Sequence, residues 1–214
     1  MESLTTIKDN KWIWPINDES SWRGQNEYQD LHTHILPYVK TKNVMIQAGG
    51  NCGFVLSKFV DHFKTVYTFE PDPINFYCLN QNVTQNNVIK MQCCLGSDNN
   101  PVKIQQLIRP DKLHDTGGVH IAGTGYTPSI TIDSLNLPEC DLIQLDVEGF
   151  ELNALIGGLK TIEKFKPILC IEFCEKWLNR YDSSSEKMEN LLNDLEYEYK
   201  ETCGVDRIYA HKNN

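Results

Sequence analysis

The chain has 214 residues, 40% of them apolar and 23% charged, which suits one globular domain with a short appendage and a sizeable core. A formal net charge of −9 argues against a dedicated nucleic-acid binder, which would present a basic face, and leaves small-molecule and sugar substrates open. No window approaches the apolar length of a membrane helix, and Met1-Glu2-Ser3-Leu4-Thr5 lacks a signal peptide's apolar region, so a cytoplasmic chain off the membrane is expected.

The first residues differ from the rest. Three of the four tryptophans fall in Lys11-Trp12-Ile13-Trp14-Pro15 and Asp18-Glu19-Ser20-Ser21-Trp22. Flexible tags lack aromatics, so this stretch is expected to pack as an irregular arm over the domain, where it would also be placed to wall a substrate pocket. Apolar residues at helical spacing follow over residues 28–39 (Tyr28, Leu31, Ile35, Leu36), with Pro37 near the end. The expected organisation is therefore an arm and helix over residues 1–40, packed on a domain of residues 41–214.

From Asn43 strands and helices alternate. The spacing predicts strands over residues 44–48, 65–69, 88–94, 141–146 and 167–173. It predicts helices over 54–63, 73–81, 150–165 (with a break point at Gly157-Gly158) and 186–195. Residues 102–108 and 129–132 read as extended. Residues 95–100 read as a loop, and Asp115-Thr116-Gly117-Gly118 and Gly123-Thr124-Gly125 as turns. Segments 196–202 and 205–211 flank Cys203-Gly204, a hairpin signal. Alternation of this kind implies an α/β fold with a mostly parallel sheet, closed by an antiparallel hairpin at its C-terminal edge.

The most informative stretch is Gln47-Ala48-Gly49-Gly50-Asn51-Cys52-Gly53, a glycine-rich turn that leaves the first parallel strand. Turn glycines let backbone approach a ligand. Glu70 ends the next strand about 20 residues on, the usual offset for an acid that grips ribose hydroxyls. Gly49 and Gly53 frame the loop, but no third glycine follows at the helix-packing position, so a dinucleotide pyrophosphate is disfavoured. A nucleoside without phosphates fits better, and S-adenosylmethionine is the common ligand of that type. The plain alternative is a tight βα connection with no ligand.

Ligands of open parallel sheets bind at the carboxyl ends of strands. Acids stand at three such ends: Glu70, Asp146 with Glu148 two residues on, and Glu172. Asp146 and Glu172 would also offer oxygens to a divalent cation, but nothing in their spacing demands a metal. Eight cysteines show no completed zinc spacing, and Cys93, Cys94 and Cys170 lie in apolar strand patterns. They read as free thiols in a reducing compartment.

Leu145-Asp146-Val147-Glu148-Gly149-Phe150-Glu151, with Leu155 and Gly157, resembles the signature of FkbM-type methyltransferases that use S-adenosylmethionine. So do Phe69-Glu70-Pro71-Asp72-Pro73 with Asn75, Phe76, Leu79 and Asn82, and Lys166-Pro167-Ile168 leading to Ile171-Glu172. The Gln-Ala-Gly-Gly-Asn turn and the Trp-x-Trp-Pro arm are similar to phage and marine members. On that basis the protein would act in a host cytoplasm. The family usually places aspartate where this chain has Gln47.

The resemblance implies a class I methyltransferase of Rossmann-like fold. Gln47, Gly49, Asn51 and Gly53 would surround the methionyl part of the cofactor, and Glu70 its ribose. Asp72, Ser97 and Asp98 would lie near the adenosine. It implies O-methylation of a sugar or other small hydroxylated acceptor. An alcohol needs its proton removed as the methyl arrives, and Asp146 and Glu148 are placed for that work. Glu148 reads equally as a cap on the helix after it. His120 is a minor candidate base, while His32 and His34 sit on the first predicted helix. The competing functions are a methyltransferase-like binding module without catalysis and a nicotinamide-dependent oxidoreductase.

Overall fold

A computed structural model of the protein describes residues 4–18, 21–22, 30–107 and 115–214. The aromatic arm forms two antiparallel strands, β1 (Thr5–Lys8) and β2 (Trp12–Pro15). Asp9 and Asn10, at φ 47° and 58°, supply the left-handed turn between them, closed by Lys11 N–H on the Lys8 carbonyl at 3.1 Å. Trp14 is fully buried and Trp12 nearly so, against Cys52, Phe54 and Cys78. Asn82 joins the hairpin to the domain. Its amide exchanges two hydrogen bonds with the Ile13 backbone, each at 2.8 Å, and donates a third to the Cys52 carbonyl. Of the helix expected over residues 28–39, Leu31–Ile35 is helical, and Tyr28 lies outside the described residues.

The central strands are β3 (Val44–Ala48), β4 (Thr65–Phe69), β5 (Val88–Met91), β10 (Leu142–Leu145), β11 (Ile168–Glu172), β12 (Tyr197–Cys203) and β13 (Asp206–His211). They form one sheet in the order β12-β13-β11-β10-β3-β4-β5. The five strands from β11 to β5 are parallel, and β13 and β12 close the edge antiparallel, turning at Gly204 with φ 64°. The short strands between them, in chain order, are β6 (Cys94–Leu95), β7 (Val102–Gln106), β8 (Val119–Thr124) and β9 (Ser129–Ile130). Strand β6 pairs with β9, and β7 with β8 as a hairpin.

Apolar side chains leave both faces of the sheet. One face packs Ile46, Ile143, Leu169 and Ile171 under the helices Glu151–Ile156, Leu159–Phe165 and Ser185–Asp194. The other packs Met45, Val66, Leu142 and Ile168 under Leu31, Ile35, Phe59 and Leu79. The helix Pro73–Asn82 carries proline in its first turn and Asp72 as its N-cap.

Two expectations need correction. Residues 54–63 carry the right apolar spacing, yet they form two short 3₁₀ turns, Leu56–Lys58 and Val60–His62. Val55, Val60 and three phenylalanines lose side-chain freedom in an α-helix. In addition, the Ser57 hydroxyl bonds the Phe54 carbonyl at 2.7 Å. The strand expected over 88–94 stops at Met91. The chain then bends away, and Cys94 N–H finds the Pro128 carbonyl at 2.9 Å. The helix after β10 divides at Gly157-Gly158, the expected break point, and Gly157 must be glycine because a Cβ there would lie 2.0 Å from the Gly96 carbonyl oxygen.

Candidate functional site

The carboxyl ends of β3, β4, β10 and β11 open into a cavity of about 290 Å³. Its floor is the loop leaving β3. Gly49, at φ 86°, is forced to be glycine, since an added Cβ would stand 1.9 Å from the Asp146 carbonyl oxygen. Asn51 is also left-handed, at φ 47°. Its side-chain oxygen accepts Cys52 N–H at 2.6 Å, and its amide donates to the Thr116 carbonyl at 3.1 Å. Gly53 stands back from the cavity. Any side chain there would strike Val83 and Leu79 of the next helix, so Gly53 itself fills the packing role that looked vacant in the sequence.

Glu70 is buried at the end of β4 and lines the cavity. Its two oxygens accept Asn51 N–H at 2.7 Å and Asp72 N–H at 2.8 Å. Burial still outweighs those bonds and lifts its pKa to about 8. Gln47 faces the same cavity, and its amide is spent internally. Nε2 donates to the Gly49 carbonyl at 2.8 Å, and Oε1 accepts the Thr68 hydroxyl.

The opposite end is acidic. Asp146 follows β10, and burial raises its pKa to about 6. Glu148 is held at φ 56° and followed by Gly149 at φ 101°, a sharp left-handed turn that carries Glu148 to the cavity wall. The helix that follows has no side-chain cap, so Glu148 does not fill the capping role; Glu151 in its first turn instead holds the preceding loop, accepting Val147 N–H at 2.9 Å and Gly149 N–H at 3.2 Å. Glu148 keeps one buried oxygen without a partner. Burial, then the charge of Asp146, raise it to about 8, opposed by Arg180. Glu172 also lines this end.

A cover lies over the cavity. Ile104 of β7 and Val119, His120 and Ile121 of β8 line it, with Thr116 and Gly117 beside the glycine loop. The Thr116 carbonyl accepts from Asn51 and from Asn75, each at 3.1 Å, and Thr116 N–H donates to Asp18 at 3.0 Å. Tyr181 bonds the Ile121 carbonyl at 2.9 Å and meets Phe150 edge-on, 5.0 Å between ring centres. The His120 ring contacts the Gly118 carbonyl at 3.1 Å.

The structure thus gathers Gln47, Gly49, Asn51, Glu70, Asp146, Glu148 and His120 around one cavity. It places Asp72, Ser97 and Asp98 elsewhere. Asp72 caps the helix Pro73–Asn82 through Ile74 and Asn75 N–H. Ser97 is exposed, and Asp98 closes a turn on Asn100 N–H at 2.8 Å. Cys93, Cys94 and Leu95 line the cavity instead, because the chain bends out of the sheet at Gln92 and not later. Sequence reasoning also missed Gln144 and Phe150 as lining residues. The signal for Gln144 was a lone amide inside an apolar strand. Among the described residues, no group of three or more His, Cys, Asp or Glu side chains is arranged to hold a metal ion.

A parallel sheet with this strand order, a glycine loop against an acid at the next strand end, and a closing antiparallel pair make the Rossmann-like fold of class I S-adenosylmethionine-dependent methyltransferases. Residues 47–199 match the Methyltransferase FkbM domain, more than half of the chain, and the protein belongs to that family. It is 26% identical over 164 residues to the hexuronic acid methyltransferase AglP of Haloferax volcanii, covering 74% of this chain and 65% of the relative. Among solved structures it is similar to the methyltransferase FkbM of Methylobacillus flagellatus KT, with TM-score 0.52 and 19% identity. That match covers 79% of this chain and 44% of the other. It is also similar in fold to a precorrin 8W decarboxylase of Methanobacterium thermoautotrophicum, with TM-score 0.51, 13% identity and coverages of 85% and 89%. The chain therefore spans less than two thirds of the length of the first two relatives. Among the described residues no helix is long and apolar enough to cross a membrane.

Proposed function

We propose that the protein transfers a methyl group from S-adenosylmethionine to a hydroxyl of a sugar or another small hydroxylated acceptor. The observation that carries this reading is the placing of Glu70 and Asp146 at opposite ends of one covered cavity, joined by the glycine loop. The residues fit the cofactor. Glu70 is a buried acid at a strand end, and beside the Asn51 and Asp72 N–H groups and the Asn75 side chain its oxygens keep capacity for a ribose hydroxyl. Gly49, Gly50 and Asn51 line the cavity, and the two glycines bring backbone with no side chain of its own to its floor. Cys93, Cys94 and Leu95 form an apolar wall suited to a flat base.

When bound, the cofactor supplies an electrophilic methyl on a sulfonium. The chain's own residues do the rest. Asp146 accepts the acceptor's hydroxyl proton at its carboxylate, and Glu148 assists from the adjacent wall. Phe150 and Ile121 exclude water from that end. The sugar class draws support from the hexuronic acid methyltransferase to which the chain is similar.

Titration calorimetry with S-adenosylmethionine and with NAD, followed by methyl transfer from labelled cofactor to a panel of glycosides, tests the reading. Binding of the former alone and label on a glycoside oxygen are expected. Binding of NAD alone, or cofactor binding with no transfer to any hydroxylated acceptor, would overturn it.

A further inference from the structure

The glycine loop offers no charge to a cationic ligand group. Gln47 is 1% exposed, and its uncharged amide is held in place by one bond to the Gly49 carbonyl and one from the Thr68 hydroxyl. The neighbouring wall is the reverse, with acceptors that lack donors. Gln144 is 1% exposed and its Oε1 has no partner, while Glu172 is 7% exposed and its Oε2 has none. Both line the cavity. The strand register explains why they converge. Gln144 lies opposite Gln47 on one side and Cys170 on the other, so Gln144, Asp146 and Glu172 leave the same face of the sheet. The Gly49 backbone lies directly against Asp146, so this wall borders the glycine loop.

Leaving buried acceptors unmatched costs free energy, and here they stand around one space. An ammonium group carries three N–H donors and a full positive charge, which suits an amide oxygen beside a carboxylate. We propose that Glu172, with Gln144 beside it, receives the α-ammonium group of S-adenosylmethionine, in place of an acid on the glycine loop. The inference rests on the cofactor reading of the cavity. It leaves Asp146 and Glu148 to the acceptor.

A second property supports the assignment. Burial, then the charges of Asp146, Glu151, Glu148 and Cys174, push Glu172 to about 11. These groups face it from the exit of β10, from the helix Glu151–Ile156 and from the exit of its own strand, and Asp206 pairs with it across β13. With no cation beside it, Glu172 therefore favours its protonated form at neutral pH. An arriving ammonium favours the carboxylate, and the proton leaves to the buffer.

S-adenosylhomocysteine and 5′-methylthioadenosine share the adenosine and the sulfur, but only the first carries the amino-acid end. Both are titrated into wild type and Glu172→Gln in two buffers of different ionisation enthalpy. Glu172→Gln should weaken S-adenosylhomocysteine by about tenfold or more and leave 5′-methylthioadenosine unchanged. Proton release should accompany S-adenosylhomocysteine in wild type only. Gln144→Met, which removes an acceptor without adding charge, should act in the same direction and more weakly, and serves if the first variant folds poorly. Equal loss of both ligands, or loss of neither, overturns the inference. If the wild type binds neither ligand, the cofactor reading falls with it.

Discussion

Asn51 donates its backbone N–H to Glu70 at 2.7 Å, across the gap between the loop leaving β3 and the end of β4. The acid assigned to the ribose thus also holds the glycine loop in place. Glu70→Ala should weaken S-adenosylhomocysteine at least tenfold by calorimetry. It should also lower the melting temperature, because two buried N–H groups lose their acceptor, at a cost of about 1–3 kcal/mol each. Unchanged affinity would remove Glu70 from the cofactor site. Lost affinity at an unchanged melting temperature would deny its hold on the loop.

Asp146 should matter more to turnover than to cofactor binding. Asp146→Asn keeps the size and hydrogen-bonding shape but removes the base, and a base contributes about 10²–10⁴-fold. Single-turnover rates on a proven acceptor should fall on that order while S-adenosylhomocysteine still binds. Wild-type turnover in this variant would end the catalytic assignment. Collapse of cofactor binding would transfer Asp146 to the cofactor site and leave Glu148 and His120 as the bases to test.

Stability should fall as pH rises above the ordinary carboxylate range. Burial raises Asp146 to about 6, Glu151 to about 7, and Glu148 and Glu70 to about 8. Each group binds its proton more tightly in the folded chain than in the unfolded one, so the folded state gains most where all are protonated. That gain drains as pH climbs through each folded value. Melting temperature should therefore decline between about pH 5 and pH 9, and Asp146→Asn should flatten the early part of the decline. A melting temperature that rises across this window contradicts the assigned shifts.

The N-terminal hairpin should be integral to the fold. Trp14 is fully buried against the glycine-loop side of the domain, and truncation of such a side chain costs about 3–5 kcal/mol. Denaturant unfolding of Trp14→Ala measures this directly. Proteases should spare residues 5–15 in the native protein. Ready cleavage there without loss of stability would show the hairpin to be dispensable.

All eight cysteines are free thiols, six of them buried. Alkylation of the native, non-reduced protein should label Cys174 and Cys203 first, and the rest only after unfolding. A native disulfide seen by mass spectrometry would contradict the structure.

The parallel strands and the glycine loop were legible because each rests on local pattern: apolar runs, punctuating glycines and acids at strand ends. The mostly parallel sheet and its closing antiparallel pair followed from the alternation of strands and helices. The hairpin of β1 and β2 was hidden because its turn uses Asp9 and Asn10 without glycine, and its strands are only four residues long. Asp72 looked like a ligand residue from its place beside Glu70, but the free N–H groups of the next helix compete for the same carboxylate. Ser97 and Asp98 were misplaced because the bend at Gln92 depends on pairing between β6 and β9, which are far apart in sequence. Gln144 and Glu172 gain meaning only when register sets them on one face of neighbouring strands, two residues out of step.

The contact between Gly49 and the Asp146 carbonyl leaves the floor of the cavity with no room to vary. Two strand ends locked backbone to backbone cannot drift apart as sequences diverge. The cover has no such constraint. It meets the cavity through replaceable side chains on β7 and β8 and hangs from Asn51, Asn75 and Tyr181. Descendants of this chain that accept new substrates should therefore differ in the cover and keep the floor, as a lock is rekeyed by its pins while the cylinder stays.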